Sequence, residues 1–184
     1  MCRQLASLDS SVAVLHLDGY LFPRAERRAL RLSAFDLAGY DFVRAAREIR
    51  AFILDGDTIH VPPYLASGMW GNPIAIRPAP TVVLDGDLAE LCPELRALVD
   101  AVAFFITDIE TMHVLRADRD VSEGRFSAAE AEERWAVEWP ALRDNLLPAA
   151  NTADLIVQPV LGRRYWIHKQ ADSLACRFRI GLSV

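Results

Sequence analysis

Lysine is almost absent. Lys169 is the single one, and the other 19 of the 20 basic side chains are arginine, the better planar fork for phosphate oxygens. Cysteine is scarce too. Cys2, Cys92 and Cys176 are far apart and odd in number, with no Cys-x-x-Cys or Cys/His spacing, which argues against a zinc site. No apolar run approaches the ~20 residues that a membrane span needs. Met1 to Ala6 is too short and mixed for a signal peptide. The expected compartment is therefore the reducing cytoplasm. The net charge of −5 gives no overall reason to bind nucleic acid or an anionic membrane, although a local basic site remains open. No Gly-x-Ser-x-Gly elbow and no His-Glu-x-x-His run occurs, so serine hydrolases and zinc peptidases have no support. His16, His60, His113 and His168 are not spaced for a metal, and His16 reads as a packed strand residue.

What is present suits one compact domain over residues 1–184, with 52% hydrophobic and 24% charged residues. Residues 2–8 read as the tail of a helix. Ser11 to Leu17 reads as a buried strand ending at Asp18, and residues 19–36 as a loop or short helix. From Leu37 to Leu54, Phe42, Ala46, Ile49 and Ile53 recur at helical spacing, with Asp55-Gly56 as the stop. Asp57 to Val61 is a short strand, and a proline-rich loop from Pro62 to Pro80 surrounds another at Ile74 to Arg77.

Thr81 to Asp85 is a second buried strand that ends on an acid. A helix over residues 88–99, a strand from Ala101 to Thr107 and a helix over 108–120 follow. Ser127 and Glu130 form a capping box for a long helix, in which Trp135, Trp139, Leu142 and Leu146 share a face and Pro140 makes a kink. Asp154 to Val157 is a fourth apolar strand. A hairpin around Gly162-Arg163 would account for part of the remaining residues 159–184.

Continuous apolar strands alternating with amphipathic helices predict an α/β fold, a mostly parallel sheet with helices on both faces. Ligands of such sheets bind beyond the carboxyl ends of the strands. Asp18 and Asp85 both stand there. Two carboxylates in one crevice can hold Mg²⁺ through water, and one can take a proton from a hydroxyl. Each acid also reads as an ordinary turn residue. Arg116, Arg119 and Arg125 could close over transferring phosphates. A solvated helix end paired with Asp118, Asp120 and Glu123 is the plainer reading. Tyr20 and Tyr64 could line a pocket; for Tyr64 a half-buried loop anchor serves equally well. Trp135 and Trp139 read as core.

The order of these pieces carries a resemblance. Leu15-His16-Leu17-Asp18-Gly19-Tyr20 leads to Ser33-Ala34-Phe35-Asp36, then Asp55-Gly56-Asp57 and Val61-Pro62-Pro63-Tyr64. Val82-Val83-Leu84-Asp85-Gly86 follows, then Arg116-Ala117-Asp118-Arg119-Asp120, Ser122-Glu123-Gly124-Arg125 and Ala153-Asp154-Leu155-Ile156. Over about residues 2–158 this resembles the uridine kinase and phosphoribulokinase family of P-loop kinases.

The resemblance implies ATP-dependent phosphoryl transfer, with Mg²⁺, to a hydroxyl of a nucleoside or similar small molecule. It implies that Asp18 is the base and that Asp85 lies near Mg²⁺. It makes Arg119 and Arg125 lid arginines at the nucleotide and Arg116 a further active-site arginine, and it places Tyr64, with Tyr20 nearby, in the substrate pocket. Departures weigh against uridine itself as substrate. Gly19 follows the base where the family often has an acid or polar residue, one acid of the Phe35-Asp36 segment is missing, and no histidine follows Tyr64 closely.

The family opens with a strand and a loop ending Gly-Lys-Ser/Thr, whose backbone N–H groups cradle phosphates. No such run occurs here, and Met1 to Ala6 resembles the helix that follows it. The expectations are an N-terminally truncated P-loop kinase fold, impaired phosphoryl transfer by this chain, and self-association through exposed sheet edges. The alternative is a non-catalytic binding or partner subunit.

Overall fold

The computed structural model describes residues 11–65, 67–160 and 164–170. The expected helix tail at residues 2–8 and the turn at Gly162-Arg163 lie outside the described residues.

Strand β1 (Val12–His16) opens the described chain and carries three consecutive buried residues, as a strand covered on both faces should. A tight turn, Leu17–Tyr20, follows at once. Helix α1 (Arg24–Ala29) lies within the segment expected as loop or short helix. Helix α2 (Phe42–Leu54) starts five residues later than the apolar pattern alone suggests. Asp41 explains the delay, because its carboxylate accepts the Arg44 N–H at 3.0 Å and caps the first turn. The helix stops at Asp55-Gly56 as expected, with Gly56 at φ 74°.

Strands β2 (Ile59–Val61) and β3 (Ile74–Ile76) form an antiparallel pair. Strand β4 (Thr81–Asp85) pairs with β1 in parallel, matching Val12 with Thr81 and His16 with Asp85. The single helix expected over 88–99 is instead a short turn, Ala89–Leu91, and a four-residue helix α3 (Pro93–Arg96). Pro93 is the cause: it pushes Cys92 out of helical geometry to φ −91°, ψ 110°.

Strand β5 (Ala103–Phe105) leads to helix α4 (Ile109–Ser122), and Gly124 at φ 66° turns the chain toward helix α5 (Ala128–Ala141). The Ser127–Glu130 capping box is present, side chain to backbone in both directions. Pro140 sits inside α5, and the chain then widens into a looser turn at Leu142–Leu146, where the Leu147 N–H reaches back to the Leu142 carbonyl. Trp135 and Trp139 stack at 5.4 Å and are half-buried. Strand β6 (Leu155–Val160) pairs in parallel with β5 and antiparallel with β7 (Arg164–Gln170).

Parallel pairs β1–β4 and β5–β6 share no ladder among the described residues. Helix α2 supplies the main core. Ala45, Ile49 and Phe52 are buried against Leu15, Leu17, Tyr20 and Leu95, with Phe42, Ala46 and Ile53 flanking them. Burial of a side chain such as Phe52 or Ile49 stabilises by about 1.5–3 kcal/mol. This packing fixes β1, and through it the turn that carries Asp18. No helix among the described residues is long and apolar enough to cross a membrane.

Candidate active site

The β1–β4 register sets the site. Because His16 lies opposite Asp85, the chain beyond each strand enters the same space at the carboxyl ends. Asp18 follows two residues after β1, and Asp85 is the last residue of β4. Asp87 lies two residues further.

These carboxylates act on one another electrostatically. Burial first, and then Asp85, raise the Asp18 carboxyl above its ordinary range, while His16, Arg119 and Arg125 pull it down. Asp87 is pushed up to about 6 by burial first, then by Asp18, with Arg116 opposing. Both residues are nonetheless exposed to water at the mouth of the site. That combination describes an open crevice, where solvent tempers the rise without removing it. Tyr40 is buried in its wall, and its hydroxyl is held well above the usual phenol range by burial, Asp18 and Asp87.

The arginines come from α4 and the loop after it. Arg119 is half-exposed and bonds Asp120 through both Nε and a terminal nitrogen. Asp120 is 3% exposed, and its carboxylate also lies within 4.0 Å of Arg125 and Arg134. Its backbone carbonyl accepts the N–H groups of Arg125 and Phe126. One buried acid thus organises the whole hinge. Arg119 and Arg125 keep the reach to act on Asp18 electrostatically while anchored to it.

Arg116 is more enclosed. It pairs with buried Glu138 of α5 and stacks its guanidinium 5.0 Å over the Phe35 ring. It also acts on Asp87. Tyr64 is half-buried beside Leu21, Tyr40 and Leu88, and its hydroxyl accepts a hydrogen bond from Arg27 at 3.0 Å. Tyr20 lies apart from these groups. It is 1% exposed, and its hydroxyl donates to Glu48 at 3.0 Å, so it packs the wall from behind.

His16 is corrected by the structure. It is not a sealed core residue: its Nδ1 lies 2.9 Å from Asp85 Oδ2, with both side chains about two-fifths exposed. Sequence reasoning also missed Asp87, Tyr40 and Glu138. Asp87 had a readable signal, a second acid two residues beyond the strand end. Glu138 had none, because its partner Arg116 is 22 positions away.

Gly19 also acquires a reason. A side chain there would lie 2.5 Å from the Pro62 carbonyl oxygen and against Val61. An acid or polar residue after Asp18, expected from the resemblance, has no room.

No group of three or more His, Cys, Asp or Glu among the described residues is arranged to hold a metal by itself. Mg²⁺ characteristically takes one or two carboxylates, with waters and substrate phosphates completing its shell. Asp18 and Asp85 fit that mode, and the repulsion among Asp18, Asp85 and Asp87 is one that a cation would relieve.

Comparison with known proteins finds similar sequences and similar folds. A uridine kinase of Shewanella amazonensis is 25% identical over 166 residues, covering 85% of this chain and 76% of its own. In sequence and fold the chain is similar to uridine kinases and phosphoribulokinase of the P-loop kinase fold. Among solved structures, a candidate fructose transport system kinase from a Silicibacter species superposes with TM-score 0.66 at 17% identity, covering 84% of this chain and 81% of that one. Phosphoribulokinase from Rhodobacter spheroides gives 0.57 at 15% identity, covering 83% and 62%. No family model matches the sequence. These likenesses show an α/β fold of the P-loop kinase kind.

Proposed function

We propose that this chain is built to transfer the γ-phosphoryl group of ATP to a hydroxyl of a nucleoside or similar small molecule, with Asp18 as the base. The supporting observation is the position of Asp18. It sits among Asp85 and Asp87 on one side and within electrostatic reach of Arg119 and Arg125 on the other.

The acceptor hydroxyl approaches Asp18, which takes its proton as the oxygen attacks the γ-phosphorus and the bond to the β,γ-bridging oxygen breaks, releasing ADP. Burial first, and then Asp85, keep the Asp18 carboxyl a better proton acceptor than a free aspartate. Asp85 and Asp18 would hold Mg²⁺ together with the phosphates, and the ion would supply charge neutralisation there. Arg119 and Arg125 swing from the Asp120 anchor to meet charge on the moving phosphoryl group. Arg116 holds the Phe35 segment that borders the acceptor space.

The 184 residues contain no Gly-Lys-Ser/Thr run. In this reading the chain alone holds Mg·ATP weakly, for want of a nest of N–H donors at the triphosphate. Strands β4 and β5 each have one ladder neighbour among the described residues, so self-association through their other edges belongs to the same reading.

The test is Asp18→Asn in a form of the chain carrying a complete phosphate loop. A fall in kcat of about 10²–10⁴-fold with nearly unchanged acceptor binding is expected. Near-full kcat in that variant would remove Asp18 as the base. Calorimetric titration of the 184-residue chain with Mg·ATP and light scattering of the same sample check the other two parts.

A further inference from the structure

Beside the crevice lies a second hollow of about 550 Å³, between α1 and α5. Its size falls within the roughly 300–1,000 Å³ typical of small-molecule sites. None of Asp18, Asp85, Asp87, Arg119 or Arg125 lines it.

Its lining is strongly basic. Arg24, Arg27, Arg28 and Arg31 come from α1 and its end, and Arg134 from α5. Three carboxylates share the walls, Asp36, Glu133 and Glu138. Two of these are engaged: Glu138 binds Arg116 and Arg134, and Asp36 accepts the Ser33 N–H. Positive charge therefore exceeds the acids facing the same space.

The guanidiniums are also held in place. Arg24 lies 4.9 Å and Arg134 4.1 Å from the centre of the Phe126 ring, so one aromatic side chain contacts both. Arg27 is buried and fixed by the Phe22 carbonyl and the Tyr64 hydroxyl. Arg31 adopts a left-handed backbone at φ 59°, unusual for a residue with a side chain, where the chain leaves α1. Burial lowers the Arg24 pKa, and Arg134, Arg28 and Arg27 lower it further by repulsion. A dianion among these groups would offset that repulsion. Arginine forks bind phosphate oxygens bidentately.

We propose that this hollow binds the phosphate group of a small phosphorylated metabolite, at a site separate from the Asp18 crevice. Its volume exceeds what a bare phosphate fills, so the rest of the metabolite lies along the α1–α5 walls.

The test is calorimetric titration of the 184-residue chain, without ATP, using inorganic phosphate and ribose 5-phosphate as probes in chloride buffer. The comparison is the Arg28→Gln/Arg31→Gln double variant. Both side chains are exposed, so the fold should persist, and a thermal melt checks it. Saturable binding of the ester, tighter than that of phosphate and weakened at least about tenfold in the variant, is the expected result. The expected ester affinity falls as salt rises. Absence of saturable binding, or equal binding by both proteins, would overturn the site. Equal affinity for the two probes would overturn the metabolite assignment. Because no ATP is present, either failure leaves the kinase reading standing.

Discussion

His16 and Asp85 are cross-strand partners whose side chains meet at the carboxyl ends of β1 and β4, Nδ1 to Oδ2 at 2.9 Å. The pair fastens the two strand ends from which the crevice acids project. It is also about two-fifths exposed on each side, which limits its worth. Exposed pairs contribute about 0.2–1 kcal/mol. A double-mutant cycle with His16→Ala and Asp85→Asn, read from urea unfolding, should give a coupling in that range. A coupling of several kcal/mol would mean the pair is far better shielded than its exposure indicates.

Asp87 predicts a pH dependence of stability. Its carboxyl is pushed up from 3.8 to about 6 on folding. Below both values the group is protonated in either state and costs nothing. As pH rises between them, only the unfolded chain ionises, so folding loses stability, and the loss is complete above the higher value. Asp87→Asn should remove this penalty. Solvent access reduces the effect to on the order of 1 kcal/mol. Thermal melts should show the variant more stable at about pH 7.5 and equal to the parent near pH 3.5. Added Mg²⁺ should narrow the gap at the higher pH by stabilising the parent.

Gly19 predicts a steric cost. In Gly19→Ala the new methyl group meets Val61 and the Pro62 carbonyl, which is backbone and cannot rotate away. Destabilisation of about 1–3 kcal/mol is expected, the range for overpacking. Unchanged stability would show that the β2 end moves freely relative to the Asp18 turn.

Tyr20 separates packing from binding. Tyr20→Phe removes one hydrogen bond to Glu48, which keeps its partner Arg44 at 2.8 Å. The expected cost is about 1 kcal/mol. Acceptor KM in a loop-bearing form should not change. A raised KM at unchanged stability would instead place Tyr20 at the substrate surface.

The lid arginines should act through geometry as well as charge. Arg119→Lys keeps the charge but loses the two-nitrogen contact with Asp120. A fall in kcat/KM of about tenfold or more is expected, carried mainly by kcat. If Arg119→Lys and Arg125→Ala both leave kcat/KM unchanged in a loop-bearing form, these are surface charges.

Much of the scaffold was legible in order along the chain. Apolar runs from Val12 and from Thr81 gave strands, the Phe42–Leu54 periodicity gave a helix, and Ser127 with Glu130 gave a helix start. These signals are local, because strand burial, helical spacing and capping each operate within a few residues. The Asp18 and Asp85 positions could be read for the same reason: both stand at the ends of recognisable strands. Locality also limited the reading. Apolar spacing suggests one helix over 88–99, but Pro93 breaks it at Cys92 into two short pieces.

The sequence by itself determined the elements, the arginine-for-lysine bias, the acids at the strand ends and the family resemblance. Only the tertiary structure decided who faces whom. The β1–β4 register set His16 against Asp85, 69 positions away, and drew Asp87 into the same negative field. The docking of α5 on α4 gave Arg116 its buried partner Glu138 and left Asp120 to gather Arg119, Arg125 and Arg134. These are pairings between distant segments. They depend on strand register and helix packing, which arise only when the whole core closes, and no local pattern encodes them.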